Sequence, residues 1–360
     1  MQFSSEVFSI GGSLLTSFLI VFISIPSIVK VAFKKHLYDA PSNRSSHTVI
    51  TPTLGGVAIF AGILITAAIW INACQMPELQ YVAASLLIMF FIGIKDDMLI
   101  IAPLTKLTGE LVAGSILVFV GNIRFTNLHG FNNIHELPYV ASVLLTLFVI
   151  IVIINALNLI DGIDGLASGV GIVVSTTLGI WFYLAEQYSY SVLAASVVGA
   201  LVAFFIYNVY GKENKIFMGD TGSLVLGLLL SVMILKFNEL NIDNTFEYWV
   251  QAAPSVAFGI LIVPLFDTLR VMFIRFFTMK PLFKADKRHL HHALLTLNMS
   301  HKQATFTILF VNVLFIIFVF YVSQYTSIRR LILIILLVAT FFNYLPHFFI
   351  ARQQKRKKAA

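Results

Sequence analysis

Long apolar stretches recur along the whole chain and constrain its fold more than any other feature. Most are about 17 to 25 residues long, the length that an α-helix needs to cross the hydrocarbon core of a bilayer. Short polar segments separate them, and 58% of the 360 residues are hydrophobic whereas only 11% are charged. Such a chain has too few polar side chains to cover a soluble surface. We therefore predict an all-α, polytopic integral membrane protein.

The apolar stretches predict about eleven membrane-spanning helices. The predicted spans are residues 7–33, 53–73, 79–97, 106–122, 139–157, 165–185, 191–209, 222–237, 248–275, 303–323 and 330–350. We expect them to form one transmembrane domain, residues 1–350, followed by a basic tail, residues 351–360. Because the first cation, Lys30, comes late in the first span, we expect that span to stay in the protein rather than act as a cleaved signal.

The distribution of lysine and arginine predicts the orientation in the membrane. With the N-terminus outside and the C-terminus in the cytoplasm, 24 such residues divide very unequally. All fall on the cytoplasmic side except Arg124, Lys236, Arg329 and Arg330. Cytoplasmic loops of membrane proteins are enriched in cations, so this orientation is strongly favoured. The net charge of +7 then reflects topology and a lipid-facing tail, and we expect no nucleic-acid partner.

A row of polar side chains follows the fifth predicted span. Asn155, Asn158, Asp161 and Asp164 recur every three residues, so on a helix or a tight turn they lie along one face. Two glycines within the row let the backbone approach a ligand closely. For Asp164 alone, N-capping of the next helix is an equally good interpretation. Capping does not explain four polar side chains in register, and the row predicts a ligand site.

Adjacent carboxylates, Asp96 and Asp97, end the third predicted span, which runs inward. They lie at the negative pole of that helix, so a cation should compensate them. Pairing with Lys95 or Lys106 is the simpler alternative. Clustered carboxylate oxygens also suit Mg²⁺, the ion that we predict.

The segment Phe217–Ser223 opens the eighth predicted span and contains two glycines around Asp220. Asp220 at this position is either an ordinary N-cap or part of a seat for a metal-bound phosphate, because free N–H groups and a positive helix pole meet there. The aromatic ring of Phe217 is suited to stacking on a base, although an aromatic residue at a membrane boundary more often packs or anchors.

Basic groups gather in two cytoplasmic loops. Arg288 precedes a run with His289, His291 and His292. No cysteine accompanies these histidines, so phosphate binding is favoured over zinc, with a solvated basic loop as the alternative. In the first inner loop, Arg44 and His47 precede the glycine-rich segment Pro52–Gly56, which is a weak signal alone.

Two acidic residues within predicted spans receive simpler interpretations. Asp267 and Arg270 lie three residues apart, and we predict a local ion pair between them. Glu110 has no assigned function. All the other clusters lie on the cytoplasmic side, so one active site that handles Mg²⁺ and phosphate groups is predicted. Phosphoryl transfer involving a lipid follows, because a lipid substrate gives the site a reason to lie on membrane-spanning helices.

The motifs together resemble the polyprenyl-phosphate N-acetylhexosamine-1-phosphate transferases. The matching segments, in family order, cover the chain from about residue 39 to 300: Pro52–Gly56, Lys95–Asp97, Asn155–Leu166, Phe217–Ser223 and His289–His292. The muramyl-pentapeptide branch typically has a lysine where Thr48 stands and three successive histidines, which Leu290 interrupts here. The sequence is therefore more similar to the N-acetylglucosaminyl branch.

The resemblance implies a bacterial enzyme of the cytoplasmic membrane. It implies transfer of N-acetylglucosamine-1-phosphate from a UDP-sugar to undecaprenyl phosphate, with release of UMP, as the first lipid-linked step of a cell-envelope polysaccharide such as lipopolysaccharide. Transfer of phospho-N-acetylmuramoyl-pentapeptide, or of another UDP-hexosamine, is the alternative. Mg²⁺ is the implied cofactor, with Mn²⁺ as a substitute, and family members often form homodimers.

The resemblance also assigns roles to residues. Asp220 is the implied direct metal ligand, and Asp96 and Asp97 position the metal or the lipid phosphate. The implied catalytic set is Asp96, Asp97, Asp161, Asp164 and His289, and the implied substrate-binding set is Arg44, His47, Lys106, Asn155, Asn158, Phe217, Arg288, His291 and His292. Within it, Phe217 stacks on uracil and the histidines hold phosphate.

Two mechanisms and two other protein classes stay open. A lipid phosphate is largely ionised at pH 7, so we favour direct attack on the donor, with Asp96 as an orienting group or weak base, over a covalent aspartyl-phosphate. A secondary transporter would place its ionisable groups near mid-membrane, and a scaffold would tolerate Asp97→Asn and Asp220→Asn. Clustering of the acids at one membrane face counts against the transporter.

Overall fold

The computed structural model describes residues 2–39, 50–99, 101–245, 247–279 and 289–359. Three predicted substrate-binding residues, Arg44, His47 and Arg288, lie outside these ranges. Thirteen α-helices make up most of the described chain. They are α1 Gln2–Lys34, α2 Gly55–Trp70, α3 Leu79–Leu99, α4 Pro103–Ser115, α5 Tyr139–Ile160, α6 Leu166–Leu184, α7 Tyr188–Phe205, α8 Gly219–Leu240, α9 Ala253–Ile260, α10 Ile262–Phe277, α11 Leu290–Thr296, α12 His301–Ser323 and α13 Ile328–Ala359.

Eight helical segments in the described ranges are long and apolar enough to cross a membrane, where α4 and α7 are counted together with the short π-helices that continue them, Ile116–Val120 and Ile206–Tyr210. The pair α9 and α10 makes a ninth if both belong to one span. A multi-pass helical membrane protein is thus confirmed. The other two predicted spans correspond to α2, which has only 16 residues, and to α3, which ends in charged side chains. Eleven spans and the orientation of the termini therefore stay predictions.

One predicted span, residues 248–275, is broken into α9 and α10, which are bent by 82° at their junction. Pro264 lies near the start of α10 and has no N–H to donate to the carbonyl of Ile260, so an uninterrupted helix would lose a hydrogen bond there. The stretch is therefore interrupted, and whether its two helices form the one predicted span stays a prediction. At the C-terminus, α13 continues through the predicted tail to Ala359.

Two small antiparallel sheets interrupt the helical fold. Strand β1, Tyr38–Asp39, pairs with β2, Thr51–Pro52, and strand β3, Asn127–Phe131, pairs with β4, Ile134–Glu136. Between β3 and β4, Asn132 and Asn133 both have positive φ angles, which is the backbone of a tight hairpin turn that asparagine tolerates. The all-α prediction missed these strands.

Helix α8 lies at the centre of the bundle and is the most buried of the candidate spans in the described chain. It packs against α2, α3, α5, α6 and α9. Helices α2 and α3 each approach α8 so closely that glycine is required at the contact. A Cβ atom on Gly56 of α2 would lie 2.1 Å from the backbone nitrogen of Gly222, and one on Gly93 of α3 would lie 2.4 Å from Cα of Thr221. Both contacts are made at the N-terminal end of α8, which carries Asp220.

Candidate active site

Four helix ends bring the central polar cluster together: the C-terminal ends of α3 and α5 and the N-terminal ends of α4 and α8. At its centre is the Nζ atom of Lys106, which lies 2.7 Å from Oδ1 of Asp220, 3.3 Å from Oδ2 of Asp96 and 3.3 Å from Oδ1 of Asn158. Asp96 also accepts a hydrogen bond of 2.8 Å from the backbone N–H of Ile101. Residues far apart in sequence thus form one charged centre.

Asp97 faces the backbone at the start of α8. Its Oδ1 accepts from the N–H of Asp220 at 2.7 Å, and its Oδ2 accepts from the N–H and the hydroxyl of Thr221 at 3.0 and 2.6 Å. Gly219 makes this approach possible: its φ is +70°, and a Cβ there would lie 2.7 Å from the Asp97 carboxylate oxygens. A carboxylate on the free N–H groups of a helix start is stabilising, so Asp97 fixes the direction in which Asp220 points.

Two amides of α5 connect the cluster to the core. The Nδ2 of Asn158 donates to Oδ1 of Asp220 and, at 2.9 Å, to Oγ of Ser223. One turn earlier, Nδ2 of Asn155 donates to Oε2 of Glu110 at 2.7 Å. Glu110 is only 1% exposed, and it lies one helical turn after Lys106 on α4. The sequence offered this spacing as a signal, but Glu110 received no role.

The segment Pro52–Gly56 is a structural partner of Phe217–Gly222. The N–H of Phe217 donates to the carbonyl of Pro52 at 2.8 Å, and the N–H groups of Gly55 and Gly56 donate to the carbonyls of Phe217 and Met218 at 2.9 Å each. The glycine-rich segment therefore holds the chain that leads into α8. Phe217 itself is half-buried, and Nζ of Lys215 lies 5.7 Å from the centre of its ring.

The turn between α5 and α6 carries the other two predicted aspartates. Within the described chain, the carboxylate of Asp161 accepts no hydrogen bond. Burial raises the pKa of the Asp161 carboxyl to about 8, and the negative charges of Asp220, Asp97 and Asp164 act in the same direction. The Asp161 carboxyl therefore stays protonated among these acidic groups. A cation bound nearby would lower its pKa and favour the ionised form.

Asp164 lies between a lysine and a histidine. Its Oδ2 lies 2.6 Å from Nζ of Lys215 and 3.7 Å from Nδ1 of His301. Burial alone would raise the pKa of Asp164, but the hydrogen bonds and charges of His301 and Lys215 outweigh it and lower that pKa. The backbone carbonyl of Asp164 also accepts a hydrogen bond of 2.7 Å from Thr305. Asp164 is thus tied to α12 and to the loop before α8.

Asn208 joins the two loops that flank the site. Its Oδ1 accepts from the N–H of Gly165 at 2.6 Å, and its Nδ2 donates to the carbonyl of Ile216 at 2.8 Å. Asn208 is buried. Gly165 has a φ of +79°, and a Cβ there would lie 2.5 Å from Val209, so the turn requires glycine. Sequence reasoning missed Asn208, although an asparagine within an apolar span is a signal.

Asp267 organises the histidine segment. Its Oδ2 lies 2.8 Å from Nδ1 of His289, and its Oδ1 accepts from the N–H of Leu290 at 2.9 Å, where α11 begins. Arg270 lies 3.6 Å away, so the predicted local ion pair is confirmed. The prediction nevertheless missed the larger role of Asp267, because His289 lies 22 residues further along the chain.

His291 contacts the turn that contains Asp161. A Cβ on Gly162 would lie 2.6 Å from Nε2 of His291, which is why a side chain is excluded there. This Nε2 is buried and has no hydrogen-bond partner in the described chain. Burial lowers the pKa of His291 to about 3, so the ring is neutral. The ring of His292 lies 4.3 Å from that of His291, between ring centres.

The oxygens of the central cluster are of the chemical type that a hard divalent cation binds. Oxygens of Asp96, Asn158 and Asp220 lie within 3.3 Å of the Lys106 ammonium. Carboxylate, amide and hydroxyl oxygens are the ligands that Mg²⁺ prefers. Within the described ranges, no group of three or more His, Cys, Asp or Glu side chains is arranged to hold a metal ion. Asp97, with both oxygens on backbone or hydroxyl donors, is better placed to orient the site than to bind the ion.

The chain is similar to known proteins over most of its length. Residues 79–238 match the model of the Glycosyl transferase family 4, and that range contains Asp96, Asp161 and Asp220. A protein of Bacillus subtilis named "Probable undecaprenyl-phosphate N-acetylglucosaminyl 1-phosphate transferase" is 29% identical over 90% of this chain and 88% of its own length.

Two further relatives cover most of the chain. The "Undecaprenyl-phosphate alpha-N-acetylglucosaminyl 1-phosphate transferase" of Escherichia coli (strain K12) is 25% identical over 83% of this chain and 80% of its own length. The "Decaprenyl-phosphate N-acetylglucosaminephosphotransferase" of Mycobacterium leprae is 29% identical over 82% of this chain and 79% of its own length. The resemblance stated from the motifs is confirmed: residues 79–238 match the Glycosyl transferase family 4, and the chain is similar over most of its length to polyprenyl-phosphate N-acetylglucosamine-1-phosphate transferases.

Proposed function

We propose that this protein transfers N-acetylglucosamine-1-phosphate from UDP-N-acetylglucosamine to undecaprenyl phosphate in the bacterial cytoplasmic membrane. The products are UMP and a pyrophosphate-linked lipid sugar that starts a cell-envelope glycan. The observation that carries this proposal is the convergence of Asp96, Lys106, Asn158 and Asp220 at adjoining helix ends. That arrangement offers oxygen ligands for a divalent cation beside an ammonium group for phosphate, which two reacting anions require.

The reaction follows from the charges of its two substrates. The lipid phosphate is largely ionised at pH 7, so its oxygen can attack the phosphorus that bears the sugar without a strong base. The new bond joins the two phosphates, the bond to UMP breaks, and UMP leaves with its electron pair. Asp220, Asn158 and Asp96 would hold Mg²⁺ or Mn²⁺, which supplies neutralisation of the phosphate charges when bound.

The remaining residues bind and orient the substrates. Asp97 holds the start of α8, so that Asp220 points into the cluster. Phe217 offers a half-buried ring on which uracil stacks, and the neutral Nε2 of His291 offers a buried polar atom for a phosphate or sugar hydroxyl beside the Asp161 turn. Asp161 lines that turn on the nucleotide-sugar side.

The test is to incubate purified protein with undecaprenyl phosphate, Mg²⁺ and a panel of UDP-sugars, and to measure UMP. We expect UMP with UDP-N-acetylglucosamine and none with UDP-N-acetylmuramoyl-pentapeptide. A transporter or scaffold would release no UMP with any donor. Preference for a different UDP-hexosamine would keep the reaction class and replace the proposed sugar.

The same assay separates the two mechanisms. Direct attack requires both substrates to be bound, so UDP-N-acetylglucosamine without lipid should release no UMP. A covalent aspartyl-phosphate would release one equivalent of UMP from the donor alone and would give ping-pong kinetics. Such a burst would refute direct attack.

A further inference from the structure

Lys106 has an unusual position for a substrate-binding lysine, since its ammonium lies inside the acidic cluster. Its side chain is only 14% exposed, and its nearest partner is Oδ1 of Asp220 at 2.7 Å. The same Oδ1 accepts a hydrogen bond from Asn158. The second carboxylate partner, Asp96, lies 3.3 Å away. These three oxygen-bearing side chains are the ones that would hold the divalent cation of the proposed reaction.

An ammonium and a divalent cation compete for this set of oxygens. Both are attracted to the same oxygens, and two cations a few ångströms apart in a partly buried site repel strongly. A lysine has a flexible four-carbon stem, so its head group can leave the cluster without movement of α4.

We propose that Lys106 and the divalent cation exchange at Asp220: the ammonium neutralises the cluster before the metal binds, and the metal displaces it toward the phosphates of the donor. This inference rests on the proposed function in one respect: the donor phosphates are the groups that Lys106 contacts after it leaves Asp220. The exchange itself concerns only Lys106, Asp220 and the cation. It makes metal loading and lysine release a single coupled step.

The first test measures Mn²⁺ binding to the substrate-free protein by electron paramagnetic resonance. We expect Lys106→Met to bind Mn²⁺ at least about tenfold more tightly than wild type, because the competing cation is gone. The matched control is Lys215→Met, which removes a lysine from an ion pair with Asp164 outside this set. An equal gain in both variants would mean a general charge effect and would overturn the exchange, as would an unchanged affinity in Lys106→Met.

The second test uses the wild-type protein, so it does not depend on the variant folding. Amine acylation with an activated ester is quantified by mass spectrometry with and without Mg²⁺, again without substrates. Release from Asp220 should raise the labelling of Lys106 several-fold, whereas Lys236, paired with Glu78 in a separate cluster, should not change. Labelling of Lys106 that stays constant or falls as Mg²⁺ saturates would overturn the proposal.

The outcomes separate this inference from the proposed function. If no UDP-sugar gives UMP but Mg²⁺ exposes Lys106, the exchange stands and the proposed reaction falls. If UMP forms and Lys106 labelling does not respond to Mg²⁺, the reaction stands and the exchange falls.

Discussion

Asp97 and Asp220 meet at the same helix start but do different things. Both carboxylate oxygens of Asp97 accept hydrogen bonds from N–H and hydroxyl groups of Asp220 and Thr221, whereas the carboxylate of Asp220 faces Lys106 and Asn158. Loss of the first changes the shape of the site, and loss of the second changes its charge. Substitutions of the two carboxylates should therefore differ in their effect on the stability of the folded protein.

We predict that Asp97→Asn lowers both activity and stability. Its amide NH₂ would face an N–H donor, and loss of a hydrogen bond to a charged group costs about 1.5 to 3 kcal/mol of unfolding free energy. Asp220→Asn should abolish UMP release with a much smaller change in the thermal midpoint. The control is Asp243→Asn, whose exposed carboxylate bonds only a local N–H among described residues. Equal midpoints for Asp97→Asn and wild type in detergent would contradict this assignment.

Asp161 predicts a pH dependence in the metal-free protein. Its folded pKa of about 8 lies above the ordinary 3.8, so the folded state holds a proton that the unfolded state releases. Stability should therefore fall as pH rises from about 4 to 8, by up to about 1.4 kcal/mol per pH unit, and then level off. In EDTA, Asp161→Asn should lose this part of the slope. An identical slope in wild type and variant would refute the raised pKa.

At the residue scale, the sequence singled out Asp96, Asn158 and Asp220 as candidates but did not show how each side chain points. Asp96 and Asp97 are adjacent on α3, so they point about 100° apart, and only packing against α8 determines which one caps it. Asp267 and Asn208 were missed for a related reason. Their partners, His289 and Gly165, are distant in sequence, and no local pattern encodes such pairs.

Glycines set the spacing between elements, and α2 approaches α8 most closely at Gly56. A methyl group there would lie 2.1 Å from the backbone nitrogen and 2.6 Å from Cα of Gly222, and neither atom can move without shifting α8. Because the N-terminal end of α8 carries Asp220, the packing of α2 and the geometry of the site are coupled.

We predict that Gly56→Ala destabilises the protein and reduces UMP release, because overpacking of backbone against backbone costs about 1 to 3 kcal/mol or more. The matched control is Gly11→Ala in α1, where a methyl group meets nothing within 4 Å. There the better helix propensity of alanine should stabilise by up to about 1 kcal/mol. Thermal midpoints and UMP release in the same detergent check both variants. A neutral Gly56→Ala would show that α2 can move away from α8.

The sequence predicted the position of an element where a long apolar stretch determines it. It missed features that depend on one or two residues. Each of the eleven predicted stretches coincides with a helix or a helix pair. The bend between α9 and α10 depends on one missing N–H at Pro264, and the β3–β4 hairpin depends on two asparagines that accept positive φ. Hydropathy averages over windows longer than either feature, so it does not detect them.

At the scale of the whole molecule, a second polar cluster joins α3, α7 and α8 near their other ends. Glu78 accepts hydrogen bonds from the hydroxyl of Tyr190 at 2.7 Å and from Nζ of Lys236 at 3.1 Å. Lys236 is one of the four cations that the predicted orientation places outside. Because Lys236 is paired with a carboxylate of the protein, it does not count against the excess of cations that the predicted orientation places on the cytoplasmic side. Arg124, another of the four, is likewise held, by Ser142 and the ring of Tyr139.

The predicted orientation can be tested with Cys74, the single cysteine of the chain, which is exposed in the segment between α2 and α3. An N-terminus outside places this segment outside, so a membrane-impermeant maleimide should label Cys74 in right-side-out spheroplasts. In a Cys74→Ser background, Glu213→Cys lies in the exposed loop before α8, beside the proposed active site, and should react only after the membrane is opened. The reverse pattern would place the site outside, where UDP-sugars made in the cytoplasm cannot reach it, and would contradict both the orientation and the proposed function.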